Sequence, residues 1–160
     1  MNSPVYVLDT HALVWYVKGR MSQFGLNAFI SMIHPRARIV IPAYALIEVQ
    51  QKFTPKMDGK KNSMRIPPTP LLRLLCKCSN VRILPRGPET LAWEFRLKHT
   101  NRTNHIDDQD IAIAAAVLVV RQHCEEPVAL VTNDGSLVKW ASSAGVPIIW
   151  NHRPFRFLPS

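Results

Sequence analysis

Acid is scarce in this chain. Its 160 residues hold 11 Asp and Glu against 20 Lys and Arg, a formal net charge of +9 and a pI near 10.0. Cysteine is scarcer still. Cys76, Cys78 and Cys124 make an odd number, which does not suit a disulfide framework. A reducing cytoplasm is therefore the expected compartment. A zinc site is discounted in favour of ordinary thiols, because Cys76-x-Cys78 has no second close pair and His123–Cys124 stands apart from it. The chain contains no run of about 18 apolar residues, so no membrane span is expected. No basic leader or cleavage site precedes the apolar pattern that begins at Pro4. Internal repeats are also lacking. With 47% hydrophobic and 19% charged residues, the composition is that of one globular domain large enough for a real core.

The few acids that exist are unusually placed. Asp9, Glu48, Asp107, Asp108, Asp110 and Asp134 are 6 of the 11. Four of them interrupt or close apolar runs: Asp9 in VYVLDTHALVW, Glu48 in IVIPAYALIEV, Asp110 in HIDDQDIAIAAA and Asp134 in VALVTNDGSLV. An ionised carboxylate at the edge of an apolar core is costly unless a cation or hydrogen-bond donors compensate it. Acids reserved for such edges on a basic protein point to a divalent metal facing a polyanion. The basic surplus favours a nucleic-acid partner through counterion release. Its densest cluster, Lys52, Lys56, Lys60, Lys61 and Arg65, falls among Pro55, Gly59, Pro67, Pro68 and Pro70, a loop composition that could supply phosphate contacts.

Short apolar strands alternate with helical patterns along the chain. Val5–Leu8, Arg38–Ile41, Val81–Leu84, Val128–Val131 and Val146–Ile149 read as strands. Helices are predicted over Thr10–Lys18, Gln23–Ile33, Ala43–Phe53, Pro70–Lys77, Glu89–Lys98, Ile106–Gln122 and Asp134–Ala144. In Glu89–Lys98 the apolar residues are Leu91, Phe95 and Leu97, and the alanine-rich helix from Ile106 should be central. The expected fold is α/β: a single three-layer domain with a mostly parallel five-stranded sheet flanked by helices. It should span residues 1–150, with 151–160 as a tail.

Parallel sheets build sites beyond the carboxyl ends of their strands. Asp9 follows the first strand and Asp134 follows the fourth by three residues. Glu48 lies about two turns into the helix after the second, and Asp110 occupies the first turn of the central helix. One rim thus collects all four. At about 100° per residue Asp107 lies about 60° from Asp110 around the helix and can share the site, whereas Asp108 diverges by about 160°. Asp108 is read as a partner of the helix dipole. Asp134, or Asn133 beside it, could equally cap the next helix. His11, next to Asp9, could touch substrate or pack at a helix start. Clustered carboxylates select hard cations, so one or two Mg²⁺ or Mn²⁺ ions are implied. Such ions activate water and stabilise the leaving oxygen of a phosphodiester.

At these residues the chain resembles the PIN-domain nucleases, particularly the VapC-like toxin ribonucleases of bacterial toxin–antitoxin pairs. LDTHALVW (Leu8–Trp15) matches one subgroup's THALxW signature, and HIDDQDIAIAAA (His105–Ala116) its D-x-x-D before a small, apolar helix. LVTNDGSL (Leu130–Leu137) matches its strand followed by Thr-x-Asp, and GVPIIW (Gly145–Trp150) its closing strand. The resemblance implies that Asp9, Glu48, Asp110 and Asp134 bind Mg²⁺ or Mn²⁺, with Asp107 as a helper and Thr132 and Asn133 as polar neighbours. It also implies an RNA substrate, a homodimer and a small cognate antitoxin. Ala43 and Ala45 stand where the family often places hydroxyl residues. Two other readings remain open: a housekeeping RNA-processing nuclease with the same site, and a non-catalytic RNA-binding module whose acids are helix caps.

Overall fold

The computed structural model describes residues 4–17, 37–53, 79–100 and 106–149. Five strands are present: β1 (Val5–Leu8), β2 (Arg38–Pro42), β3 (Val81–Leu84), β4 (Val128–Val131) and β5 (Ile148–Ile149). The helices are α1 (Thr10–Val17), α2 (Ala43–Phe53), α3 (Pro88–Lys98), α4 (Asp108–His123) and α5 (Gly135–Ser143). The strands form one sheet in the order β3-β2-β1-β4-β5, with every pairing parallel. The fold is three-layer α/β, as expected, and its sheet is parallel throughout. The expected helices over Gln23–Ile33 and Pro70–Lys77, and the tail 151–160, lie outside the described residues.

The strand order explains where a site can form. From β1 the chain moves one way to β2 and β3, and β4 and β5 lie on the other side. The order therefore reverses between β1 and β4, and the crevice beyond their carboxyl ends is the switch point. β1 and β4 are the buried centre of the sheet, with Val7, Leu8 and Leu130 at 0% exposure. Strands buried on both faces need continuous apolar side chains, which VYVL and VALV supply.

α4 lies at the heart of the helical packing, against α2, α3, α5 and β4. Its buried stretch runs from Ile111 to Val117, with Val119 and Val120 beyond. Alanines at 112 and 114–116 let neighbouring backbones approach on several sides at little cost in helix propensity. The helix starts at Asp108, not at Ile106, because Asp107 is its N-cap. α5 likewise lies between its caps, Asp134 and Ala144. β5 is shorter than the expected Val146–Ile149. Pro147 has no N–H to give a ladder, and the Val146 N–H turns back to the Ala141 carbonyl.

That last bond completes a Schellman turn. Val146 N donates to Ala141 O, Gly145 N donates to Ser142 O, and Gly145 adopts φ +64°. Space is open around a Cβ there, so backbone strain alone sets the cost of a side chain. Gly145→Ala is expected to lower stability by about 1 kcal/mol, read as a shift in the denaturant midpoint.

α3 turns differently from its apolar pattern. Leu91 and Phe95 are 49% and 66% exposed, while Thr90, Glu94 and Leu97 face inward. On the inward side Arg86, in the turn after β3, binds Glu94 with two hydrogen bonds.

Candidate functional site

Asp9 leaves the carboxyl end of β1 with 2% of its surface exposed, and donors compensate its burial. Thr10 N donates to its Oδ1 at 2.6 Å, and the Thr132 hydroxyl donates to its Oδ2 at 2.8 Å. His11 Nδ1 lies 3.3 Å from the same Oδ2. The Asp9 backbone N–H donates to Val131 O at 3.0 Å, which fixes the ends of β1 and β4 to each other. Thr132 in turn accepts from the Asp134 backbone N–H at 3.0 Å. Asp9, Thr132 and Asp134 are therefore one hydrogen-bonded unit across the switch point.

Glu48 joins from the other side. Its Oε2 accepts from the Thr10 hydroxyl at 2.6 Å. Thr10 is 1% exposed and holds one carboxylate with its N–H and another with its hydroxyl. The hydroxyl that reaches Glu48 thus comes from α1, not from positions 43 and 45 of its own helix. Sequence reasoning passed over Thr10. Its signal was a hydroxyl residue between a strand-end acid and an apolar helix start. Thr10→Val keeps the shape and removes the donor, with an expected loss of about 1 kcal/mol that Thr10→Ser restores. Chemical denaturation of the three proteins would measure it.

Asp110 lies in the first turn of α4, half-buried. Its carboxyl is pushed up to about 7, first by burial and then by the negative charges of Asp134, Asp107 and Asp9, with His11 acting in the opposite direction. Four of the predicted acids thus share one electrostatic neighbourhood, and Thr10 links Glu48 to it. Asp107 and Asp134 also carry structural duties. Asp107 Oδ1 accepts from Gln109 N and Asp110 N at 2.9 and 2.8 Å, and Asp134 Oδ1 accepts from Ser136 N and Leu137 N at 2.8 and 3.1 Å. Capping of α4 therefore falls to Asp107, and Asp108 stands in the first turn, where its charge meets the helix dipole. Asp108 is exposed and paired with Lys98 Nζ at 2.9 Å. Asp107 is extended (φ −80°, ψ 175°), as an N-cap must be, and Asp108 is already helical.

The donors are all carboxylate oxygens, of the kind Mg²⁺ and Mn²⁺ prefer, and their mutual repulsion at Asp110 is what a bound cation relieves. In donor chemistry they suit such an ion. As the side chains stand, no three His, Cys, Asp or Glu among the described residues are close enough together to hold one. Asn133 is half-buried beside Thr132. Lys52 lies in α2 with its side chain outside the described residues, as are Lys56, Lys60, Lys61 and Arg65.

The sequence pattern of the PIN domain matches residues 6–149. No curated protein matches the chain significantly. Among solved structures, VapBC2 from Rickettsia felis, bound to a DNA fragment from its promoter, is similar with a TM-score of 0.64 at 17% identity, covering 91% of this chain and 97% of its own. VapBC-1 from nontypeable Haemophilus influenzae gives a TM-score of 0.62 at 17% identity, covering 93% and 99%. FitAcB from Neisseria gonorrhoeae gives 0.59 at 19% identity, covering 89% and 95%.

Proposed function

The chain belongs to the PIN-domain family of nucleases, and from that membership we propose that it is a metal-dependent endoribonuclease, the toxin of a toxin–antitoxin pair, with its nuclease domain over residues 1–150. The observation that carries this reading is the acid rim at the β1–β4 switch point, where burial and three neighbouring carboxylates push Asp110 up to about 7. Such a cluster is expensive to maintain unless a cation is to be bound. Asp9, Glu48, Asp110 and Asp134 would hold one or two Mg²⁺ or Mn²⁺ ions, with Asp107 assisting. When bound, the metal supplies an activated water and stabilises the leaving oxygen.

The chain's own residues prepare the site. Thr10 and Thr132 hold the Asp9 carboxylate in one orientation, with both oxygens engaged. Thr10 also orients Glu48. His11, with its side chain 38% exposed beside Asp9, would meet a substrate phosphate. The net charge of +9 supports an RNA partner by counterion release. The toxin reading rests on the LDTHALVW resemblance and on folds like those of VapBC and FitAcB. A cognate antitoxin, a homodimeric state and a cytoplasmic location belong to the same reading.

Purified protein incubated with single-stranded RNA and Mn²⁺ should give internal cleavage products that EDTA suppresses. A lack of EDTA-sensitive cleavage across several RNAs would refute the nuclease assignment. Induced expression in a bacterial host should arrest growth. Cleavage without arrest would instead mark an RNA-processing enzyme.

A further inference from the structure

Glu94 is a second buried acid, and the site described above makes no use of it. Its residue is 5% exposed, on the buried face of α3 beside Thr90 and Leu97. Its Oε1 accepts from Arg86 Nε at 2.8 Å and its Oε2 from Arg86 Nη2 at 2.6 Å. A buried ion pair of this kind contributes little net stability compared with apolar residues of the same volume. It does fix the guanidinium in one place. The Arg86 side chain is 48% exposed and that of Glu94 is 6%, so the positive end faces solvent and the negative end lies beneath. The guanidinium carbon also lies 5.9 Å from the centroid of the Tyr44 ring.

The location gives this pair a use. Arg86 follows β3, so it lies beyond the same carboxyl edge of the sheet as the acid rim. Tyr44 precedes Glu48 by four residues on α2, one turn away on the same helix face. Glu94 and Tyr44 border a gap that also meets Ala112 and Ala116 of α4. That gap holds only about 10 Å³, too little for a base, so a nucleotide would have to lie over the outer face. An outward Arg86 has three N–H bonds left after the pair with Glu94, enough for a phosphate. An aromatic ring beside it can stack a base.

We propose that Arg86 and Tyr44 form a nucleotide subsite that holds single-stranded RNA next to the cleaved phosphodiester, with Glu94 as the positioning residue for Arg86. The subsite rests on the ribonuclease reading and adds to it a substrate contact outside the metal-binding acids. A fork already held in place loses less side-chain freedom on binding phosphate than a free surface lysine does.

The test is steady-state cleavage of an oligoribonucleotide with Mn²⁺, alongside metal-free binding of the same oligonucleotide by fluorescence anisotropy over a salt series. Arg86→Met alone would strand Glu94, so the main variant is Arg86→Met with Glu94→Leu, which keeps the volume apolar. It should keep its melting temperature to within a few degrees, raise KM about tenfold with kcat nearly unchanged, and lower the salt slope of binding by about one. Arg86→Lys keeps the charge and loses the fork, and should raise KM several-fold. Tyr44→Leu should do the same. Unchanged KM and salt slope in a folded double variant, or in Arg86→Lys should the double variant not fold, would overturn the subsite and leave the nuclease intact. A fall in kcat at constant KM would mark a structural strut and overturn it equally. If the parent binds RNA but does not cleave it, and the double variant loses that salt-dependent contact, the subsite stands and the nuclease reading fails. If the parent does neither, both fail.

Discussion

Asp9→Asn is expected to reduce RNA cleavage by at least about two orders of magnitude while leaving the fold in place. The geometry separates these two effects. The substituted side chain keeps an oxygen where Asp9 Oδ1 accepts from Thr10 N. Its amide nitrogen can occupy the Oδ2 position, where the Thr132 hydroxyl rotates to accept a hydrogen bond in place of donating one. Thr132 Oγ1 then accepts both from that amide and from Asp134 N, which its two lone pairs allow. Removing a full negative charge from a residue 2% exposed even relieves some desolvation cost. What is lost is an anionic ligand at the switch point and the charge that opposes His11. Removal of a single preorganised electrostatic contact in an active site costs about 10²–10³ in rate, and a metal ligand should cost no less. Circular dichroism and thermal melting would establish that the variant is folded, and cleavage with Mn²⁺ would measure the loss. A folded Asp9→Asn protein with undiminished metal-dependent cleavage would remove Asp9 from the site.

The legibility of this site in the sequence follows physical lines. The position of Asp9 was readable because the apolar run of β1 ends there, and the parallel sheet puts that end at the switch point. Glu48 was readable from helix arithmetic, but its partner was not, since Thr10 lies 38 residues away. Strand limits for β1, β3 and β4 followed directly from continuous apolar runs. Helix starts were displaced by one or two residues where capping decides them, as at Asp107, because a cap depends on the backbone torsion of one residue. α3 was legible as a helix but not in its orientation: of its apolar residues Leu91, Phe95 and Leu97 only Leu97 is buried, and Glu94, bound to Arg86, faces inward. Two residues eight apart in a turn and a helix leave no periodic trace. Such a pair becomes visible only once the turn after β3 is placed.

Metal-free Asp110→Asn protein should be more stable than the parent at pH 8 and indistinguishable from it near pH 4. The Asp110 carboxyl ionises near 3.8 when free, whereas in the folded chain it is raised to about 7, by burial first and then by Asp134, Asp107 and Asp9. Between these values the folded state holds a proton that the unfolded state has released. Stability must therefore fall as pH rises from about 4 to about 7, and the penalty is fully present above that range. The ceiling for such a displacement is ~4 kcal/mol. Asp110 is only half-buried and water screens its neighbours, so about 2 kcal/mol is the realistic size. For a chain of this length that is about 4–8 °C in Tm. Mn²⁺ should act through the same acids: it raises the parent's melting temperature strongly at pH 8 and weakly at pH 5, because protons and metal compete for the carboxylates. The Asp110→Asn variant should gain stability without metal and lose most of the response to Mn²⁺. Thermal melts at pH 4, 5 and 8, with and without Mn²⁺, would decide the matter. An Asp110→Asn protein less stable than its parent at pH 8 would mean that the carboxylate serves the fold, and the rim would then have lost the member whose strain carries the metal-site assignment.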